Sequence, residues 1–460
     1  MPLTRRRFVG STAAVTATLL LGRPGRTQQA TPPPLFLSME AAGAWDPTFL
    51  LDPVGGRADV TPWTEAQLLR AGNLTYAPLR LPGEGAVVDE RYAFGGEDFF
   101  ARFRDAITIF RGVDNQTVSH DFGPRVAFTG SDREGHPTLA SLVARTAVDE
   151  LTAPPPLAFI TTGGYAETAG LVPTSRAGSP STLLGATLPN STRPASPATA
   201  QQFHTNATHA NLRAYREARD ARLRAGTTSP RLRAFLDDLA AARDAATTAA
   251  FDALAPAMVE AEAVAGPRGS LVPAAAAVLG AMAQGACVAA HLDVGGFDTH
   301  DDHDALDDGH RFALRRLLEG VDFVARQVET TPALSSRCVV VLVGSDFGRT
   351  FYNDTGATRG KDHWPVTAMM VLALGAAQAT LGGNRVVGAT VVGNGRGMTA
   401  RRVRVRDGAV VSAPPDDAAA LVLTPALIHQ ALHDKLHIDA ALTGRFALPG
   451  LPATPLPFFG

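Results

Sequence analysis

Six short, largely apolar runs punctuate the chain, at 35–39, 106–112, 157–162, 287–294, 338–344 and 366–374, each ending in polar or glycine-rich residues. Continuous rather than alternating hydrophobicity marks a strand buried on both faces, so these runs read as parallel strands of one sheet. Between them the apolar spacing changes to that of a helix. Residues 97–103 and 139–151 follow it, and 311–328 gives the longest stripe, with Phe312, Leu314, Leu317, Leu318, Val321 and Val324 on one side. Strands alternating with helices predict an α/β fold, a mostly parallel sheet with helices on both faces. Two longer stretches, 271–294 and 366–382, are rich in Ala and Gly and interrupted by Pro273, Gln284 and His291 or by Gln378. Each reads as a buried helix joined to a buried strand, not as a membrane span.

The middle of the chain departs from this rhythm. Residues 172–205 are dense in Ser, Thr, Pro, Gly and Asn, which predicts a long surface loop or linker. A helical pair follows. The first helix covers 211–225 and is closed by Gly226; the second starts at Ser229-Pro230 and places Leu232, Phe235, Leu236 and Leu239 on one stripe. Loop and helices form an insertion at about 172–265 within a domain of 31–460. Arg213, Arg216, Arg219, Arg222 and Arg224 give it a solvated face, with an anion-binding surface as the alternative. Further on, 403–406 and 409–411 flank Asp407-Gly408, a two-residue hairpin signal. Thr424-Pro425 opens a surface or partly buried amphipathic helix over 424–442 that carries His429, His433 and His437.

Residues 1–30 have a different character. Arg5, Arg6 and Arg7 precede Phe8-Val9, a modest Ala/Thr/Leu stretch over 10–22, and then Arg23, Pro24 and Arg26. This is the pattern of a twin-arginine signal peptide, with cleavage between Gly22 and Ala30, and its apolar part is too short to span a bilayer. The expectation is export by the twin-arginine translocase to the periplasm or cell exterior, with no transmembrane segment in the mature chain. That route carries folded proteins, so a metal ion can be loaded before translocation.

Composition narrows the function classes. The 460 residues are 45% hydrophobic and 19% charged, ordinary for a globular protein. Without the leader's five arginines, 37 basic residues stand against 44 acidic ones, a net charge of −7. With no basic run interleaved with aromatics, nucleic acid is set aside as a partner. Two cysteines, Cys287 and Cys338, exclude a disulfide framework and a thiolate zinc site. One bridge between them, or two buried thiols, both remain open.

Carboxylates and imidazoles gather just after the predicted strands, where open α/β sheets bind ligands. Asp46 follows the first strand, and Asp298, His300 and His303 follow the fourth. Asp346 follows the fifth, and Asp362-His363-Trp364-Pro365 precedes the sixth. Such side chains ligate zinc, manganese or iron. For His300 and His363 the competing reading is a hydrogen-bonded structural histidine. His303, Asp307 and His310 would share one helix face, read as solvated with a ligand role as the alternative. Ser119 is a nucleophile candidate or a helix cap; Arg349 is an anion clamp or the partner of a nearby carboxylate. Three aspartates in one cleft need a cation, or Arg and Lys, and Arg349 and Lys361 are the nearby basic residues.

Taken in order, Trp45-Asp46, Val118-Ser119-His120, Phe297-Asp298-Thr299-His300, Ser345-Asp346-Phe347-Gly348-Arg349-Thr350 and Asp362-His363-Trp364-Pro365 resemble the alkaline phosphatase and sulfatase-like superfamily. Within it they resemble a bacterial group of twin-arginine-exported proteins of unknown function. The resemblance runs along nearly all the mature chain and implies an alkaline phosphatase-like fold. It also implies metal ligation by Asp46, Asp298, His300, Asp346 and His363, with Ser119 near the nucleophile position and His120 and Arg349 beside it as catalytic candidates. The implied cofactor is a divalent metal, zinc or manganese. Phe347 stands where a hydrolytic member has a histidine, so a second metal would lose a ligand. Two expectations follow. One is an exported metal-dependent hydrolase of a phosphate or sulfate ester, on a small-molecule or envelope substrate. The other is a non-catalytic member that binds an envelope ligand or protein partner.

Overall fold

The computed structural model describes residues 32–80, 96–151, 154–187, 201–233, 235–236, 239, 249–265, 271–305, 308–353, 359–393, 395–411 and 420–459. The leader at 1–30 and most of the second insertion helix lie outside the described residues. The chain packs as two units, one of residues 33–180 with 260–460, the other including 181–259.

In the larger unit, strands β1 (Leu35–Ala41), β2 (Ile107–Asp114), β3 (Phe159–Thr161), β4 (Thr174–Arg176), β5 (Ala289–Val294), β6 (Cys338–Ser345), β7 (Gly348–Tyr352), β8 (Lys361–Trp364), β9 (Val366–Gly375) and β10 (Arg385–Val387) are the elements that position the site. Eight of them form one sheet in the order β10-β2-β9-β6-β1-β5-β3-β4, while β7 and β8 make a separate hairpin. All six strands expected from the apolar runs are in this sheet. All seven residues of β1 are buried, so both faces at the sheet centre are covered. Each fully buried Phe, Leu or Val contributes about 1.5–3 kcal/mol.

Five adjacent pairs are parallel, but β9 runs antiparallel to both β2 and β6, against the expectation of a parallel strand there. The reason lies in the connection. A parallel return needs a crossover from one end of the sheet to the other. Here β6 leaves the sheet, the β7–β8 hairpin stays at that end, and Pro365 alone joins β8 to β9, so β9 re-enters where β6 left.

Around the sheet, α1 (Glu97–Phe103), α2 (Gly123–Thr129), α3 (Leu139–Glu150), α4 (Leu271–Ala283), α5 (His310–Thr330) and α6 (Pro425–Lys435) follow the predicted elements, although α2 was signalled only by the helix-cap reading of Ser119 and α6 is shorter than expected. α3 packs on β1, β3 and β5, and α5 packs on α4, β5 and β9. His291, which interrupts the apolar run of β5, is fully buried and joins two polar residues of β1. Its Nδ1 is 2.8 Å from Ser38 Oγ and its Nε2 is 2.8 Å from Glu40 Oε2, so the buried polar atoms satisfy one another. No described helix is long and apolar enough to cross a membrane.

Several local expectations are corrected. The 172–205 stretch is not all loop: Thr174–Arg176 pairs as an edge strand, where polar side chains cost nothing, and Pro180–Thr187 is a helix. The helix expected from 211 begins at Asn206, because the Thr205 side chain caps the Thr208 amide. In the smaller unit Arg213 pairs with Glu217 and Arg219 with Asp220. The turn at Asp407-Gly408 is a four-residue loop rather than a two-residue one, since Arg404 N donates to Ala409 O and Val403 bridges Val410. The helix expected over 424–442 ends at Lys435. His437 adopts a positive φ of 52° and Asp439 caps a new helix, Ala440–Arg445, through the amides of Ala441 and Leu442. Cys287 and Cys338 are two free thiols.

Candidate functional site

Because β9 is reversed, its first residues lie at the same sheet edge as the last residues of β1, β2, β5 and β6: Ala41 is in register with Val294 and Ser345, and Val366 with Asp114. Every predicted site residue leaves the sheet there. Two close backbone approaches bring the loops together. Gly43 has a φ of 110°, and a Cβ on it would stand 2.6 Å from the amide nitrogen of Asp298. A Cβ on Gly360 would stand 1.3 Å from the carbonyl oxygen of His300, so only glycine lets the strand carrying His363 lie against the loop carrying His300.

At this edge three imidazoles meet one carboxylate. Asp298 Oδ1 is 3.0 Å from His300 Nε2, 3.2 Å from His363 Nε2 and 3.6 Å from His120 Nε2. The Nε2 atoms of His300 and His363 are themselves 3.0 Å apart. Two of the rings are oriented from behind. His363 Nδ1 is 3.2 Å from the carbonyl of Val118, which can only accept; with the hydrogen on Nδ1 the neutral ring presents a lone pair at Nε2, and with the hydrogen on Nε2 it donates to Asp298 Oδ1. His120 Nδ1 is 2.5 Å from Oδ2 of Asp346. Where these rings present lone pairs to the carboxylate, a cation between them would relieve the repulsion, which the Arg349 guanidinium, 2.7 Å from Asp298 Oδ1, offsets in part. Tetrahedral ligands about 2.0–2.2 Å from one zinc ion stand about 3.3 Å apart, close to these separations. Ligand atoms within 4.8 Å of one another form two triads that share His363, one with His120 and Asp298 and the other with His300 and Asp362, and imidazole nitrogens with a carboxylate oxygen suit zinc or manganese.

The supports of this cluster are buried. Asp346 is 1% exposed and also accepts the Ala44 amide at 2.5 Å and the Ser345 hydroxyl at 2.8 Å. Its hydrogen bond raises the His120 pKa above the usual imidazole range, against partial burial. Arg349, 1% exposed, spends its guanidinium on four backbone carbonyls, those of Gly43, Ala44, Phe297 and Lys361, and on Asp298 Oδ1 at 2.7 Å. Partial burial pushes the Asp298 carboxyl up, but Arg349 and then His363 outweigh it and bring its pKa down to about 2. Phe347 is fully buried, with its ring centroid 4.8 Å from that of His120 and 4.7 Å from that of His363. Beside the cluster a pocket of about 320 Å³ is lined by Asp298, Thr299, His300, Asp301, Asp302, Asp308 and Gly309.

Of the expected metal ligands, the fold therefore brings Asp298, His300 and His363 together and adds His120, which the sequence had placed among the catalytic candidates. Asp346 stands one step behind, on His120. Asp46 faces elsewhere. It is fully buried, its Oδ1 accepting from the amide and hydroxyl of Thr48, its Oδ2 facing Lys361 Nζ at 2.5 Å and His303 Nε2 at 3.1 Å. Burial would raise the Asp46 pKa, yet Lys361 and then His303 hold it well below the carboxylate range. The Ser119 hydroxyl accepts from the Asp121 amide in its own turn, and the Ser119 carbonyl receives the amides of Phe122 and Gly123. Arg349 takes the carboxylate-partner reading. His303 and His310 are not solvated residues of one helix face: α5 starts only at His310, both rings are fully buried, and they stack at 4.4 Å.

An open, mostly parallel α/β sheet with a histidine-aspartate cluster across its strand ends defines the class of this protein. The chain belongs to the family described as Protein of unknown function (DUF1501), which matches residues 97–407. That span includes His120, Asp298, His300, Asp346, Arg349 and His363 and leaves out Asp46. No curated protein and no solved structure matches the chain.

Proposed function

We propose that this chain is an exported, metal-dependent hydrolase of a phosphate or sulfate ester, alkaline phosphatase-like in fold, with zinc or manganese held by His120, His300, His363 and Asp298. The observation that carries the reading is the convergence of three Nε2 atoms on one carboxylate oxygen, two of the rings oriented through Nδ1. A divalent ion there supplies Lewis-acid polarisation of an ester oxygen. The chain's own residues do the rest. Asp346 fixes the tautomer and direction of His120, Arg349 holds the Asp298 carboxylate ionised and in place, and Phe347 closes one side of the cluster to water. The adjoining pocket gives the ester's leaving group a place to sit.

A second reading, metal-dependent binding of an envelope ligand without turnover, is favoured by two observations: Ser119 is engaged in its own turn, and the Arg349 side chain is fully buried on backbone carbonyls and Asp298. One experiment separates the two. Mature protein loaded with zinc or manganese is assayed on p-nitrophenyl phosphate and p-nitrophenyl sulfate, before and after chelation and in His363→Ala. Turnover lost on chelation and in the variant supports the hydrolase. Bound metal without turnover supports the binding protein, and a chain that takes up no metal removes both.

A further inference from the structure

Lys361 is fully buried, two residues before His363, and the chemistry proposed above does not use it. Its ammonium has three N–H groups and three acceptors: Asp46 Oδ2 at 2.5 Å, the Val60 carbonyl at 2.6 Å and Thr48 Oγ1 at 3.3 Å. On its remaining side stand aromatic faces, with the ring centroids of Phe49 and Tyr352 at 4.6 and 4.8 Å from Nζ. Asp46 is as completely engaged. Thr48 donates twice to Oδ1, and Lys361 and His303 occupy Oδ2. A zinc ion on Oδ2 would have to lie about 2.0–2.2 Å from it. An ammonium nitrogen at 2.5 Å fills nearly that same place.

We infer that Lys361 is a resident cation: it takes the position from which Asp46 would bind a metal ion, so that Asp46 holds none and the divalent ion sits at the Asp298 cluster. This rests on the metal reading of that cluster. A fixed ammonium is a sound substitute, because an ionised carboxylate with no exposure needs a partner charge and the lysine is covalently part of the fold.

The test reads zinc content of the full mature chain after equilibrium dialysis, with thermal melts to confirm folding. Wild type should hold one ion per chain, His363→Ala none, and the neutral pair Asp46→Asn/Lys361→Met one. Lys361→Ala leaves Asp46 and His303 facing the space of the lost ammonium and should gain one ion over wild type. Adding Asp46→Asn should remove that gain. Two ions in wild type falling to one in the neutral pair would overturn the inference, as would a folded Lys361→Ala with no gain. If Lys361→Ala does not fold, the neutral pair decides: unchanged content supports the role of Lys361 and a lost ion overturns it. Failure of the cluster reading looks different, with wild type empty while Lys361→Ala still gains one ion.

Discussion

Nδ1 of His120 lies 2.5 Å from Oδ2 of Asp346, a carboxylate buried at the end of the fifth predicted strand and fixed there by the Ala44 amide. A half-exposed imidazole is thus held by a group with no freedom of its own. Carboxylate support behind a ligating histidine is worth about 10–100-fold in metal affinity. Asp346→Asn should therefore weaken zinc binding by that factor while the fold persists, measured by competition against a chromophoric chelator. Unchanged affinity would show that His120 does not ligate.

Arg349 should act as a structural clamp. Its removal leaves four carbonyls and Asp298 without their donor, and each buried group left unsatisfied costs about 1–3 kcal/mol. Arg349→Met is expected to lower unfolding free energy by roughly 4 kcal/mol or more in denaturant titration, from the four carbonyls alone. A loss under about 1 kcal/mol would mean that the guanidinium is dispensable to the fold.

Acid sensitivity should arise away from the site, at α6. Burial pulls the pKa of His429 down to about 4, although its Nε2 donates to the Ala127 carbonyl, and that of His433 down to about 3. The unfolded chain binds these protons near pH 6.5, so it gains them first. Their contribution is complete above about pH 6.5 and is lost as pH falls toward 4, by up to about 3 kcal/mol for His429. His429→Gln should shrink the stability difference between pH 7 and pH 4.5 by about 2 kcal/mol. Equal acid losses in variant and wild type would locate the sensitivity elsewhere.

Much of this was legible in the sequence, and the reasons are specific. The sheet could be read because residues such as 338–344 are apolar without interruption, and Asp298, His300 and His363 because they sit where such runs stop. Strand direction was not legible: 366–374 has the same composition whichever way it runs, and only the short β7–β8 hairpin decides it. Asp46 and Asp346 look alike in sequence, each an aspartate after a strand. What separates them from Asp298 is the partner that reaches them, Lys361 in one case and His120 in the other, across hundreds of residues. His303 and His310 carried a helical spacing that the turn before α5 does not honour.

Export is proposed from the leader alone. Replacing Arg5 and Arg6 together by Lys should leave the full-length precursor in the cytoplasm, seen by fractionation and immunoblotting. Continued appearance of mature protein in the periplasm would refute twin-arginine routing.

The reversed strand imposes an order of events on folding. β2 has two partners in the sheet, β9 and β10, and the register joins Asp114 to Val366, about 250 residues later in the chain. On the ribosome, residues 107–114 must therefore wait, unpaired, until almost all of the polypeptide has been made. Pairings this distant in sequence form slowly, because the intervening loop must first be closed. Completion of the sheet, and with it assembly of the edge where His120 meets His363, is a late step that a truncated chain cannot reach.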